Sequence, residues 1–239
     1  MGVHRISIPA RLSPAAIAEL ERALATGAAS SATVFVLEGA GRGVFCEGMD
    51  LASLAREGGV EPAVRGFARC LRALVHAPRP TIALVDGDAL GGGLGLAAAC
   101  DLVLASERAR VGLPEALFGI VPAMVMPVLL GRTSRQRARL LATRCSTQSA
   151  AWAREAGLFD EVAAPERLEW LSRRAARELS RAEPGTATRL RALCAAVEAR
   201  GFDEALDAAR DVALAAFADA DVRERVARFI EEGAAPWAS

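Results

Sequence analysis

Three residue types are missing from this chain: it has no Lys, no Tyr and no Asn. All 29 basic side chains are therefore Arg, set against 29 acidic ones. These gaps exclude chemistry. A Schiff-base Lys, a P-loop Lys, a Tyr general acid, an Asn oxyanion donor and an N-glycosylated Asn are all ruled out. Only His4 and His76 are present, which argues against a His-rich metal site. The missing residues have AT-rich codons while Ala, Arg and Gly abound, so the composition reads as that of a high-GC genome. The five cysteines (46, 70, 100, 145 and 194) are odd in number and show no Cys-x-x-Cys. They read as reduced thiols of a cytoplasmic protein. Apolar runs stop short of the ~18 residues that a membrane helix needs. The first residues lack the apolar core of a signal peptide. A formal charge of zero argues against a nucleic-acid partner.

What is present fits one α/β domain, or such a domain with a helical appendage. Residues 4–8 read as a short strand. Ser13-Pro14 opens a helix with Ile17, Leu20 and Leu24 on one face. Residues 33–37, 81–85 and 102–105 are β-branched or apolar runs of strand length. A Gly-rich turn is predicted over 38–43, a helix over 62–76, and a loop over 86–95 that runs into an Ala-rich helix. Beyond about residue 122 the pattern is nearly all helical, with breaks at Pro184-Gly185 and Gly201. The composition shifts near residue 165, so the reading is a core over 1–165 and a helical region over 166–239.

Three segments could carry chemistry. In PheCysGluGlyMetAsp (45–50), Gly48 could aim a backbone N–H outward or simply make a turn. In LeuGlyGlyGlyLeuGly (90–95), glycines at a helix start let a ligand approach the backbone. The alternative is close helix–strand packing. A formal dinucleotide fingerprint from Gly93 is set aside because the loop does not directly follow its strand. In LeuProGluAlaLeuPheGly (113–119), Glu115 sits among apolar neighbours, which would raise its pKa toward the acid–base range. It could equally face solvent on a turn. Together, two outward amides and one carboxylate make a minimal acyl-thioester site, with the amides holding an enolate oxygen. No Gly-x-Ser-x-Gly supports triad chemistry.

The order of these motifs resembles the enoyl-CoA hydratase/isomerase (crotonase) family. The resemblance runs through 34–39, 45–51, 85–102, 112–122 and AlaGlyLeuPheAspGluVal (156–162). It implies an α/β fold: a spiral of ββα turns, here with part of the first hairpin trimmed, and a C-terminal helical trimerisation region. It implies an oxyanion hole from the Met49 and Gly92 amides, with Glu115 as the carboxylate that exchanges the α-proton. Gly48, Asp50, Gly91 and Gly93 are the flanking substrate-binding positions. No metal or cofactor is implied, only an acyl thioester on CoA or on carrier-protein phosphopantetheine. Typical hydratases carry a second Glu two residues after the glycine triplet, and here that position is Gly95.

A narrower resemblance joins Gly95, AlaLeuPheGlyIleValProAlaMetValMetProValLeu (116–129), ArgGlnArgAlaArg (135–139) and GluGluGlyAlaAlaProTrp (231–237). These look like the dehydratases of polyketide β-branching cassettes. That likeness implies loss of water from 3-hydroxy-3-methylglutaryl-acyl carrier protein, with the carrier as partner and a homotrimer or hexamer as assembly. The companion decarboxylase of such cassettes lacks a Glu at the position of Glu115. Rival readings are a CoA-dependent enoyl isomerase or hydratase, and a scaffold subunit without catalysis. With no Lys, an Arg is expected to meet the distal carboxylate, and Arg56, Arg65 and Arg69 are the candidates.

Overall fold

Ser13 starts the first helix as the sequence indicates. Its hydroxyl accepts from the Ala16 N–H at 3.2 Å, and Pro14 stands where a donor would go unbonded. The computed structural model describes residues 2–41, 43–51, 53, 60–183, 185–199, 204, 210, 213–215, 218–222, 224, 226 and 231. In chain order its strands are β1 (Val3–Ile8), β2 (Val34–Gly39), β3 (Gly43–Cys46), β4 (Thr81–Val85), β5 (Gly87–Leu90), β6 (Leu102–Ser106), β7 (Arg110–Gly112), β8 (Gln148–Ser149) and β9 (Glu161–Ala163). The helices are α1 (Pro14–Ala29), α2 (Val60–Val75), α3 (Gly92–Ala98), α4 (Met126–Leu130), α5 (Arg135–Arg144), α6 (Ala150–Glu155), α7 (Leu168–Leu179) and α8 (Thr186–Glu198). Short 3-10 helices occupy Pro114–Phe118 and Pro165–Arg167.

The strands form two sheets. One runs β1-β2-β4-β6-β9 and is parallel throughout. The other runs β3-β5-β7-β8, parallel except for its last pair. The successive pairs β2/β3, β4/β5 and β6/β7 each give one strand to each sheet, followed by helical segments. This is the spiral of ββα turns that the family resemblance implies. Both faces of the five-stranded sheet are covered. Val34, Val36, Ile82, Leu84 and Leu104 pack with Leu168, Leu171, Ala175 and Ala176 of α7. The alternate residues Leu37, Ala83, Val85, Val103 and Ala105 enter the main core with α1, α2 and α3. Burial on both faces is why these strands read as unbroken apolar runs.

Several elements differ from the sequence reading. Residues 87–90 are a strand rather than loop, the turn read over 38–43 is shortened by strands that reach Gly39 and restart at Gly43, and β8 and β9 interrupt the region read as helical. Strands of two to four residues are too short to show a period of two. The chain forms two compact units, 1–179 and 180–239. The division falls beyond residue 165 because α7 buries its apolar face on the sheet and belongs to the first unit. In the second unit, Gly185 adopts a left-handed conformation at the start of α8, and Arg189 pairs with Glu183 at 2.6 Å. Pro184, Gly201 and the ending from 232 lie outside the described residues.

Candidate active site

The segment after β3 is clamped by the residues that precede α1. Glu47 donates its N–H to Ala10 O at 2.7 Å, Leu12 donates to Gly48 O at 2.8 Å, and Asp50 donates to Leu12 O at 3.1 Å. These bonds pair Leu12 with Met49 in a parallel bridge that uses the Gly48 carbonyl and the Asp50 N–H but not the N–H of Met49. Among the described residues none accepts from the Met49 N–H. Gly48 has φ +90°, a conformation that an L side chain resists.

The second amide comes from the junction of β5 and α3. Gly91 turns the chain at φ +49° and donates its N–H to Gly112 O at 2.9 Å, which ties the turn to the end of β7. Gly92 is the first residue of α3, so its N–H has no acceptor one turn earlier in the helix. The two segments touch. A methyl group on Gly48 would stand 2.9 Å from Gly92 N and 3.0 Å from Leu90 O. Only glycine at 48 allows this approach, and it brings the Met49 and Gly92 amides into one neighbourhood.

Glu115 reaches the same place from the 3-10 helix after β7. That helix is closed by Gly119, whose N–H donates to Ala116 O at 3.1 Å, and by Ile120 N–H to Glu115 O at 3.1 Å. The carboxyl faces Gly91, where a methyl group would stand 2.9 Å from its Oε1. Its Oε2 is buried with no hydrogen-bond partner. Burial pushes the Glu115 pKa up, opposed by a hydrogen bond to its own backbone. A carboxyl oxygen left without a partner, beside the turn that leads to the Gly92 amide, is chemically able to exchange a proton with a bound group.

Gly95 lies one turn beyond Gly91 on the same face of α3. A side chain there would meet Val125 at 3.1 Å and 3.4 Å and Phe67 at 3.6 Å. Both are buried, so a side chain at this position would press on packed hydrocarbon. Phe67, Val125 and the clamp residue Leu12 were not singled out in the sequence. Each looks like ordinary core there, and only the fold brings them beside the glycines.

Other expected positions have different work. Gly93 faces Cys46, with the Cys46 O only 2.0 Å from where a methyl would sit, so it serves close packing of α3 on β3. Asp50 accepts from Ser53 N–H at 3.2 Å and from its hydroxyl at 2.7 Å, which braces the turn after Met49. Arg65 pairs with Glu61 at 2.8 Å, and Arg69 pairs with Glu21, so each already holds a carboxylate. Arg56 lies outside the described residues. The glycine run directly follows β5, contrary to the reading by which the dinucleotide fingerprint was set aside. What disfavours a pyrophosphate there is the Glu115 carboxyl against Gly91, at the helix start where the phosphates would need to lie.

Residues 3–239 match the family described as enoyl-CoA hydratase/isomerase. The chain is 30% identical over 219 residues to the bacillaene synthase dehydratase PksH of Bacillus subtilis, covering 87% of this chain and 80% of that protein. Over 82 residues it is 43% identical to human mitochondrial methylglutaconyl-CoA hydratase, 34% of this chain and 24% of that one. Among solved structures, Pseudomonas aeruginosa AtuE superposes with a TM-score of 0.89 at 32% identity, covering 100% of this chain and 96% of its own. The chain belongs to the enoyl-CoA hydratase/isomerase, or crotonase, family, and is an enzyme of its hydro-lyase type.

Proposed function

We propose that this enzyme removes water from a 3-hydroxy-3-methylglutaryl group held as a thioester on an acyl carrier protein, in polyketide β-branching. The observation that carries the reading is the half-buried Glu115 carboxyl, whose Oε2 is buried without a hydrogen-bond partner. The Glu115 carboxyl faces Gly91, next to the Gly92 amide, while the position of the second Glu of typical hydratases is Gly95, packed against Val125 and Phe67. Glu115 takes the α-proton, and the electron pair moves into the thioester as an enolate whose oxygen accepts from the Met49 and Gly92 N–H groups. The enolate collapses to the α,β-double bond as the β-carbon–oxygen bond breaks, and the same Glu115 returns its proton to the departing hydroxide as water. A tertiary β-alcohol leaves readily, so one carboxylate suffices. The likeness to PksH over most of the chain supports a polyketide setting. Free cysteines suit a reducing cytoplasm, and the assembly we expect is a homotrimer or hexamer.

The match to methylglutaconyl-CoA hydratase favours a second reading, in which the same chemistry runs on a CoA thioester. Mass spectrometry of the loaded carrier protein, run beside the CoA thioester, separates the two. Loss of one water from the carrier-bound acyl group at the higher kcat/KM supports the first reading, and preference for CoA overturns it. In either assay Glu115→Gln lowers kcat by roughly 10²–10⁴ with the fold intact. Full turnover by that variant would remove Glu115 from the mechanism.

A further inference from the structure

The helix α5 has the sequence ArgGlnArgAlaArgLeuLeuAlaThrArg, with four arginines and no acidic residue. Other arginines of the chain are held by acids, though not all of them. Arg5, Arg65, Arg69, Arg108, Arg110 and Arg174 each hold a carboxylate. Among the described residues no carboxylate lies within ion-pair distance of Arg135, Arg137, Arg139 or Arg144. Arg137 spends one N–H on the Glu155 carbonyl, whereas Arg135 and Arg139, one turn apart, stand exposed on the same face. The helix is firmly placed: Ser134 caps it at 3.2 Å, and Ala138 and Leu141 are buried beneath it. Its first turn carries cations where the helix dipole disfavours them, so helix stability does not explain them. The α5 helix packs on the 3-10 helix that carries Glu115, and the same 3-10 helix leaves Leu117 67% and Phe118 64% exposed.

We infer that α5, with Leu117 and Phe118 at its edge, is the docking surface for an acidic face of the carrier protein that delivers the acyl group. This rests on the carrier-protein reading given above. A cationic helix that meets no carboxylate among the described residues, in a chain of zero net charge, attracts a partner of the opposite sign and steers its approach. Docking there sets the pantetheine arm down beside the element that positions Glu115. The exposed apolar pair supplies the desolvated contact that fixes the partner once charge has brought it in.

The experiment compares the full-length wild type with Arg135→Glu/Arg139→Glu and, should that variant fold poorly, Arg135→Gln/Arg139→Gln. The probe is a dye-labelled holo-acyl carrier protein, followed by fluorescence anisotropy at low and high salt. In parallel, KM is measured for the 3-hydroxy-3-methylglutaryl group on the carrier, on CoA and on pantetheine alone. The expected result is carrier binding weakened about tenfold, with its salt dependence reduced. KM rises for the carrier substrate only, kcat is kept, and pantetheine turnover is unchanged. Unchanged carrier affinity overturns the inference. An equal KM rise for CoA also overturns it, because α5 would then be meeting nucleotide phosphates. Loss of activity on all three substrates with a changed assembly size in light scattering overturns it in favour of contact between copies of this chain. A wild type that binds carrier protein but dehydrates only the CoA thioester counts against the functional reading alone. The anisotropy still decides the docking.

Discussion

Glu115 costs the fold something at neutral pH. Burial raises its pKa above the ordinary 4.5, so the folded state favours the protonated carboxyl more than the unfolded chain does. Below the ordinary value both folded and unfolded chains are protonated there and no penalty arises. As pH rises through the raised pKa, the folded state must ionise a desolvated group and loses stability relative to the unfolded chain. We therefore expect Glu115→Gln to unfold at higher temperature than the wild type at pH 8, with the gap closing below pH 4.5. Equal melting temperatures across that range would show that burial of Glu115 carries no energetic consequence. In activity the same shift has the opposite face. If Glu115 is the base of the proposed mechanism it must be ionised, and the acidic limb of kcat/KM then lies above the ordinary 4.5. The sequence already points to this shift through the apolar neighbours of Glu115. It does not reveal that Oε2 is left without a partner, because that depends on Gly91 arriving from another element.

At the scale of elements, α3 decides what the site can and cannot do. Its start sets Gly91 against the Glu115 carboxyl and Gly92 against Gly48, and its next turn puts Gly95 against Val125. Gly95→Glu alone forces a charged side chain into this packed wall and should destabilise by about 1–3 kcal/mol, read as a lowered melting temperature. Adding Val125→Ala removes the methyl groups it meets. The double variant should recover part of that stability and gain hydration of an unbranched enoyl-CoA over the wild type. A single variant as stable as the wild type would show that the wall yields freely. The glycine run itself was legible as a site for close approach, but its division of labour was not. Gly93 packs on Cys46 while Gly91 meets Glu115, and residues two apart on a helix point in different directions.

Across the whole first unit, the Arg-only composition shows its use at Arg132. Its guanidinium donates to Ala98 O at 3.1 Å, Cys100 O at 2.6 Å and Asp101 O at 3.0 Å, and pairs with Asp160 at 3.0 Å. One planar fork thus ties the end of α3 to the entry of β9, a task that a Lys ammonium, a point donor, could not share so widely. The side chain is only 11% exposed, so its loss leaves several acceptors unsatisfied. Arg132→Ala should cost about 3 kcal/mol or more in urea unfolding, with the slope unchanged. A loss below about 1 kcal/mol would demote it to an ordinary surface contact. Nothing about Arg132 in the sequence separates it from the exposed arginines of α5. Both lie in one basic stretch, and only burial distinguishes the brace from the docking face.

The sequence by itself determined the α/β class, the long strands, the first helix with its cap, and the identity of the glycine and glutamate segments. These are local matters: side-chain shape, periodicity and turn chemistry act within a few residues. The tertiary structure alone decided the rest. It paired Met49 with Leu12, pressed Gly48 on Gly92, set Glu115 against Gly91 and filled the space beyond Gly95 with Val125. It also made strands of residues 43–46 and 87–90, whose pairing partners lie more than forty and twenty residues away respectively. Such contacts close long loops, and their energy comes from burial that exists only once the two sheets and their helices have assembled.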